Sequence, residues 1–487
     1  MRPPISLCAL AFLSAVAPVA ARAAEPSRPN ILFIAVDDLR TNLGCYGDAK
    51  AKTPHLDALA ARGVAFTRAY AQQAVCNPSR QSLLSGRRPD SILVWDLRTS
   101  FRTTVPDLVP LPEHFQRHGY FTQGIGKIYH EIHFREVNDP ASWSVPEQFE
   151  YVPKREDYRR PENRSAGPNA KAAVIEFADA PDEAYPDGRV ATAAEAALEA
   201  LARDGAQTPF FLAVGFRKPH LPFTAPQRYW DLHDGGRFDS PDPVDPPMGA
   251  PALALHDFPE LRGYAGIPER GPLSPDLVRD LRRAYYAATT FVDAQIGRVV
   301  ATLARTGLAE NTIVVVWGDH GFHLGEHGLW AKTTNYEADV RVPLIVAVPG
   351  LTPRGARSRA LVELLDLYPT LVELCRLDAP PGLEGRSLVP WLEQPDRPGP
   401  AAAFSQFPRP WAYREKPEAM GYSVRTDRHR YVEWRHFDTG RVLERELYSY
   451  AGDDLQERVN VAADPAQAEL LVRLAQLLPP TRPASAE

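Results

Sequence analysis

Apolar positions along this chain come in short dense runs, each ended by a polar cluster and separated by stretches of helical spacing. Asn30 to Val36, Pro209 to Phe216, Thr312 to Trp317 and Val342 to Val348 are almost wholly apolar and rich in β-branched residues. Such runs predict strands buried on both faces, as in a parallel sheet. Tyr120 to Ile125 predicts another. Helices are predicted at Leu111 to His118, over the alanine-rich Asp187 to Arg203, over Pro275 to Leu308 and over Ala360 to Leu377. In the long one, Tyr285, Phe291 and Ile296 share the core face. Thr53 and Pro54 predict a capped helix start. The alternation predicts an α/β fold: a large mixed, mostly parallel sheet sandwiched by helices.

The pattern lapses at 135–186 and 236–275, which are polar, rich in proline and without period. They predict surface excursions near a substrate mouth. Past a linker at Pro395 to Pro400, Gly421 to Trp434 and Glu446 to Tyr448 predict a small antiparallel sheet. Asp464 and Pro465 predict the start of a terminal helix reaching Leu478. Residues 24–394 thus form one large domain and 401–487 a small C-terminal α+β subdomain. Met1 to Ala23 has an early arginine, an apolar run and an Ala-Arg-Ala cleavage site, the pattern of a signal peptide. It predicts an exported protein, periplasmic or secreted. No stretch is long enough to predict a membrane span.

The formal charge is −6 and becomes −8 once Arg2 and Arg22 leave with residues 1–23. That balance argues against nucleic acid as a partner, so an anionic substrate needs a local basic pocket. The mature chain keeps three cysteines, Cys45, Cys76 and Cys375. An odd number leaves at least one outside an intramolecular disulfide. Cys76 is the expected odd one, and the other two read as small buried residues rather than a bridge.

Candidate chemistry sits where the strands stop. Asp37 and Asp38 follow the first, and two adjacent carboxylates repel unless a cation joins them. An Asx turn is the plain alternative. Lys127 and His130 follow the strand ending at Ile125. His220 lies between two prolines after the 209–216 run, Asp319 and His320 follow Trp317, and Lys332 comes soon after. Ligands in open α/β sheets bind beyond such strand ends. Arg87 and Arg88 read as solvated. Cys76-Asn77-Pro78-Ser79-Arg80 looks like a nucleophile at a helix start, where free N–H groups favour an anion and Arg80 offers a charged fork. A buried structural cysteine is the alternative.

Cys76-Asn77-Pro78-Ser79-Arg80, with Leu84-Ser85-Gly86, resembles the signature of the sulfatase family. The order of clusters resembles it too: Asp37-Asp38, the cysteine stretch, Lys127 with His130, Lys218-Pro219-His220, Gly318-Asp319-His320-Gly321, then Lys332. Lys218 to Phe223, Gly86 to Asp90, Phe404 to Pro410 and Gly421 to Thr426 look most like the iduronate-2-sulfatase branch. The resemblance implies an alkaline-phosphatase-like fold and a sulfuric ester hydrolase acting on a sulfated carbohydrate. It implies that a formylglycine-generating enzyme converts Cys76 to formylglycine, whose hydrate attacks sulfur. Asp37, Asp38, Asp319, His320 and the modified Cys76 would bind one divalent cation, calcium or else magnesium. Arg80 and Lys127 would hold the hydrate, Lys127 and Lys332 would neutralise the sulfuryl oxygens, His220 with Lys332 would protonate the leaving oxygen, and His130 would take the proton of the second hydroxyl. A phosphonate or phosphate monoester hydrolase, and a non-catalytic sulfated-glycan binding protein, are the alternatives.

Overall fold

The computed structural model describes residues 28–130, 138–149, 152–165, 170–203, 208–452 and 455–479. The expected leader at 1–23 lies outside them, as do Glu131 and His133. An eight-stranded sheet forms the centre. Its body is β1 (Asn30–Val36), β2 (Val64–Tyr70), β3 (Phe121–Gly126), β4 (Phe210–Phe216), β5 (Thr312–Gly318) and β6 (Arg341–Ala347). β1 lies in the middle, parallel to β4 on one side and β5 on the other. β3 continues parallel beyond β4, whereas β6 runs antiparallel to both β5 and β2. Every residue of β1, β4 and β5 is buried, which is why these segments are apolar without alternation.

Helices cover both faces. Pro186–Arg203 and Pro275–Arg305 pack on the face bearing Leu32, Ile34 and Val36. The Ser274 side chain caps the longer one by accepting from the Leu277 N–H, with Pro275 at its first position. The opposite face, with Ile31, Phe33 and Ala35, receives Cys76–Ser85, Leu111–Arg117 and Leu367–Leu374. A separate four-stranded antiparallel sheet follows: β7 (Ala403–Arg409), β8 (Ala419–Arg425), β9 (His429–His436) and β10 (Val442–Ser449). The closing helix Ala468–Ala475 packs on it. Among the described residues no helix is long and apolar enough to cross a membrane.

Three local expectations change. The helix expected from Ala360 begins only at Leu367, because Val362–Glu363 pairs with the edge of β2. Glu363 and Asp366 then form a reciprocal capping box that sets the new start, and Cys375 ends up as the C-cap. Thr53 does not cap the helix Pro54–Ala60; its hydroxyl accepts from the Gly44 N–H, and Asp293 takes the free N–H groups of His55 and Leu56. The terminal segment starts with a 3-10 turn, although Asp464 caps it as expected. Cys45, Cys76 and Cys375 are all free thiols.

Candidate active site

Register brings the site together. Val36 of β1 lies level with Gly318 of β5, so Asp37-Asp38 and Asp319-His320 leave the sheet side by side. The Asp38 N–H donates to Asp319 Oδ1 at 3.0 Å. Asp38 holds φ at 61°, an uncommon conformation that the Tyr285 hydroxyl supports by donating to its carbonyl. β3 ends at Gly126, whose φ of 81° lets the chain turn and place Lys127. A Cβ there would meet the Gly215 carbonyl at 2.0 Å.

Cys76 is the first residue of a helix whose ten residues are all buried. Its Sγ lies 3.3 Å from His320 Nε2. His320 Nδ1 faces the Gly321 carbonyl at 2.9 Å, so that nitrogen carries the hydrogen and Nε2 presents a lone pair. Yet Nε2 faces Asp38 Oδ1 at 3.3 Å and Asp319 Oδ1 at 3.7 Å. Acceptors aimed at acceptors in a buried site require a cation or a proton between them. Ligand atoms of Asp37, Asp38, Cys76 and His320 lie within 4.8 Å of one another. This donor set fits a divalent cation: two carboxylates, position 76, and an imidazole whose other nitrogen is anchored on a carbonyl. Asp319 stands beside these four, with Oδ1 accepting from two backbone N–H groups and Oδ2 from Arg80.

The expectation that Arg80 offers its fork to an anion is corrected. Its side chain is fully buried, and Nε donates to Asp319 Oδ2 at 2.8 Å. Nη1 donates to the carbonyls of Lys127 and Ile128, and Nη2 to Asp37 Oδ1. The guanidinium therefore ties three strand ends together and keeps at most one N–H for position 76.

Lys127 donates to Asp37 Oδ2, and Lys332 donates to Asp38 Oδ1 and Oδ2 at 3.1 and 2.9 Å. Burial pushes the Asp37 carboxyl up, but Lys127, His220 and Arg80 outweigh it and hold it well below its usual range. For Asp38 burial prevails over Lys332 and His320 and raises the carboxyl to about 7. Burial opposes the charge on Lys332, yet Asp38 and Glu260 keep its ammonium protonated. Burial, with Lys127 adding to it, pushes His130 well below its usual value. That keeps the imidazole neutral. His130 Nδ1 is buried with no hydrogen-bond partner among the described residues.

A cavity of about 650 Å³ opens onto Cys76, Lys127, His130, His220 and Lys332. The model of the sulfatase family matches residues 29–377. The chain belongs to the sulfatase family. It is accordingly a sulfuric ester hydrolase. A second model, of the C-terminal part of N-sulphoglucosamine sulphohydrolase, matches residues 325–483 of this sulfatase. Iduronate 2-sulfatase of Mus musculus is 35% identical, over 91% of this chain and 92% of its own length. Among solved structures, a phosphonate monoester hydrolase from Silicibacter pomeroyi superposes with a TM-score of 0.74 at 25% identity, covering 92% of this chain and 94% of that one. A 2-O GAG sulfatase superposes with a TM-score of 0.71 at 23% identity, covering 93% and 91%. These neighbours share the alkaline-phosphatase-like fold.

The cavity wall also carries residues that sequence reading missed: Arg98, Lys154, Arg217, His256, Glu260 and Trp411. Lys154 comes from the first excursion, and His256 and Glu260 from the second, where no periodicity pointed to them. Arg87 and Arg88 do not line this cavity, yet Arg88 is not the solvated residue expected, its side chain being only 19% exposed. Arg88 makes a two-pronged pair with Glu363 at 2.8 Å.

Proposed function

We propose that this sulfatase is exported and removes the sulfate from a 2-O-sulfated uronic acid of a glycosaminoglycan, using a formylglycine made from Cys76. The observation that carries the reading is the single cavity onto which Cys76, Lys127, His130, His220 and Lys332 open, beside the carboxylates of Asp37 and Asp38. The aldehyde, once hydrated, supplies an attacking hydroxyl and a second hydroxyl whose deprotonation expels sulfate. A divalent cation, calcium by the resemblance, supplies Lewis acidity toward the sulfuryl oxygens when bound by Asp37, Asp38, Asp319, His320 and position 76.

The chain's own residues do the rest. Lys127 and Lys332 place two ammonium groups where charge grows on sulfuryl oxygen. Arg80 fixes Asp37 and Asp319 so that the donor set is preorganised, and keeps one N–H for the hydrate. His220 and Lys332 present the proton that the leaving sugar oxygen takes, and neutral His130 accepts the hydroxyl proton at its free ring nitrogen. Arg98, Lys154 and Arg217 give the outer wall a positive face suited to an acidic sugar.

The test is sulfate release from a heparin disaccharide with a terminal 2-O-sulfated iduronate. Release supports the substrate reading, and its absence in matured, aryl-sulfatase-active protein moves the search to other sulfated sugars. The phosphonate monoester hydrolase neighbour favours a second reading, in which phosphonate or phosphate esters are turned over. Faster turnover of phenyl phosphonate esters than of any sulfate ester would favour that reading.

A further inference from the structure

Glu260 is a carboxylate in a cavity built to receive an anion. It sits on the single-turn helix Pro259–Arg262 within the second excursion, and its side chain is 27% exposed. Its Oε1 lies 3.3 Å from His220 Nε2. The same carboxylate reaches Lys332 Nζ at 3.2 and 3.0 Å. Lys332 is thereby held between Glu260 on one side and Asp38 on the other.

The His220 ring is fixed from its far side. Nδ1 faces the Leu221 carbonyl at 2.6 Å and must donate to it. Nε2 is then the working nitrogen, and Glu260 is the acceptor beside it. With Nδ1 carrying one hydrogen, a second on Nε2 makes the ring an imidazolium, which burial and Lys332 oppose. Glu260, 3.3 Å away, is the carboxylate beside that nitrogen that favours it until a leaving oxygen takes the proton.

The segment carrying Glu260 is braced. Phe258, just before the helix, is buried and held at φ 28°, where a non-glycine residue is strained. Its N–H donates to His256 Nδ1 at 2.9 Å. The Arg262 guanidinium lies 4.0 Å over the Phe258 ring and bonds Asp257 Oδ1 and the carbonyls of Pro268 and Gly271. A strained residue held by this many contacts points to a carboxylate whose position matters.

We propose that Glu260 is a positioning residue for leaving-group protonation. Resting on the roles given above to His220 and Lys332, it orients His220 Nε2 and Lys332 Nζ toward the ester oxygen that departs. No bond to Glu260 forms or breaks. It accepts from Lys332 Nζ, and from His220 Nε2 once that ring is an imidazolium, and the proton passes from a donor to the leaving oxygen.

The experiment compares wild type and Glu260→Gln on aryl sulfates graded from nitrophenyl to unsubstituted phenyl. An acidic phenol leaves without help, whereas a weakly acidic one needs the proton. The loss in kcat/KM is expected to grow by about tenfold or more from the best leaving group to the worst. Glu260→Asp, which keeps an acceptor on that side, should recover part of the loss. Thermal melting confirms that both variants fold. Equal loss on every ester, or no loss on any, overturns the proposal while leaving the sulfatase chemistry intact. A loss in His220→Ala and Lys332→Ala that is the same on every ester would overturn the roles assigned to His220 and Lys332, and Glu260 with them.

Discussion

At the residue scale the site is a balance of buried charge. Asp37, Asp38 and Asp319 face Arg80, Lys127 and Lys332, all buried. An incoming sulfate ester adds a negative charge that this evenly matched set does not compensate, and a divalent cation more than offsets it. Chelation should therefore abolish turnover, and added calcium should restore it; full activity after exhaustive chelation would contradict the donor set. Arg80→Ala leaves two buried carboxylates and two carbonyls without their donor. It is expected to cost about 3–5 kcal/mol of stability, read by chemical denaturation, as well as activity. Cys76→Ala should lower turnover by about 10⁴-fold or more while the melting temperature stays close to wild type.

At the element scale the small sheet is a buttress for the loops that carry the candidate site. The Ser405 hydroxyl donates to the Ala71 carbonyl and the Gln406 N–H to the Gln72 carbonyl, bracing the segment that leads into Cys76. Asn335 donates to the Gly421 carbonyl, and a Cβ at Gly421 would meet Asn335 Nδ2 at 2.8 Å. Glu337, five residues past Lys332, pairs with Arg425 of β8 and Arg430 of β9 and accepts from the Tyr70 hydroxyl of β2. Burial pushes Glu337 up, but Arg425, Arg430 and Arg341 outweigh it and hold it at about 2, against an ordinary value of 4.5. Because the folded value is depressed, its stabilisation is complete above pH 4.5 and fades as pH falls toward 2. Glu337→Gln should melt earlier than wild type at neutral pH, with the gap closing on acidification through that window. A constant gap would contradict the pairing.

The elements differ in how legibly the sequence wrote them. β1, β4 and β5 could be read directly, because strands buried on both faces need continuous apolar runs and their ends carry the polar chemistry. β7 is not legible as a strand: its Phe-Ser-Gln-Phe-Pro-Arg sequence mixes polar and apolar residues, buried by packing against Tyr70, Ala74 and Val75. The early start given to the 367–374 helix followed helical spacing, which pairing of Val362–Glu363 at the sheet edge overrode. Asp37, Asp38, Lys127, His220, Asp319, His320 and Lys332 were legible as strand-end clusters, and register brought them together. Glu260, Lys154 and Trp411 were not, since only the folded path of the excursions places them at the cavity.

At the scale of the whole molecule, the basic patch is local in a chain whose formal charge is −6. An acidic protein with a cationic cavity repels polyanions in general and admits an anion only where the cavity lies. Raising ionic strength should therefore raise KM for a charged disaccharide more than for a singly charged aryl sulfate. Equal salt dependence would place the outer arginines and Lys154 away from the sugar.

The proposed chemistry depends on the chemical state of position 76. The most direct measurement is the mass of the tryptic peptide Ala69 to Arg80 from protein preparations of graded activity. The account predicts the lighter aldehyde form, in a fraction that rises in step with sulfatase activity. Fully active protein whose peptide carries only unmodified cysteine would contradict it.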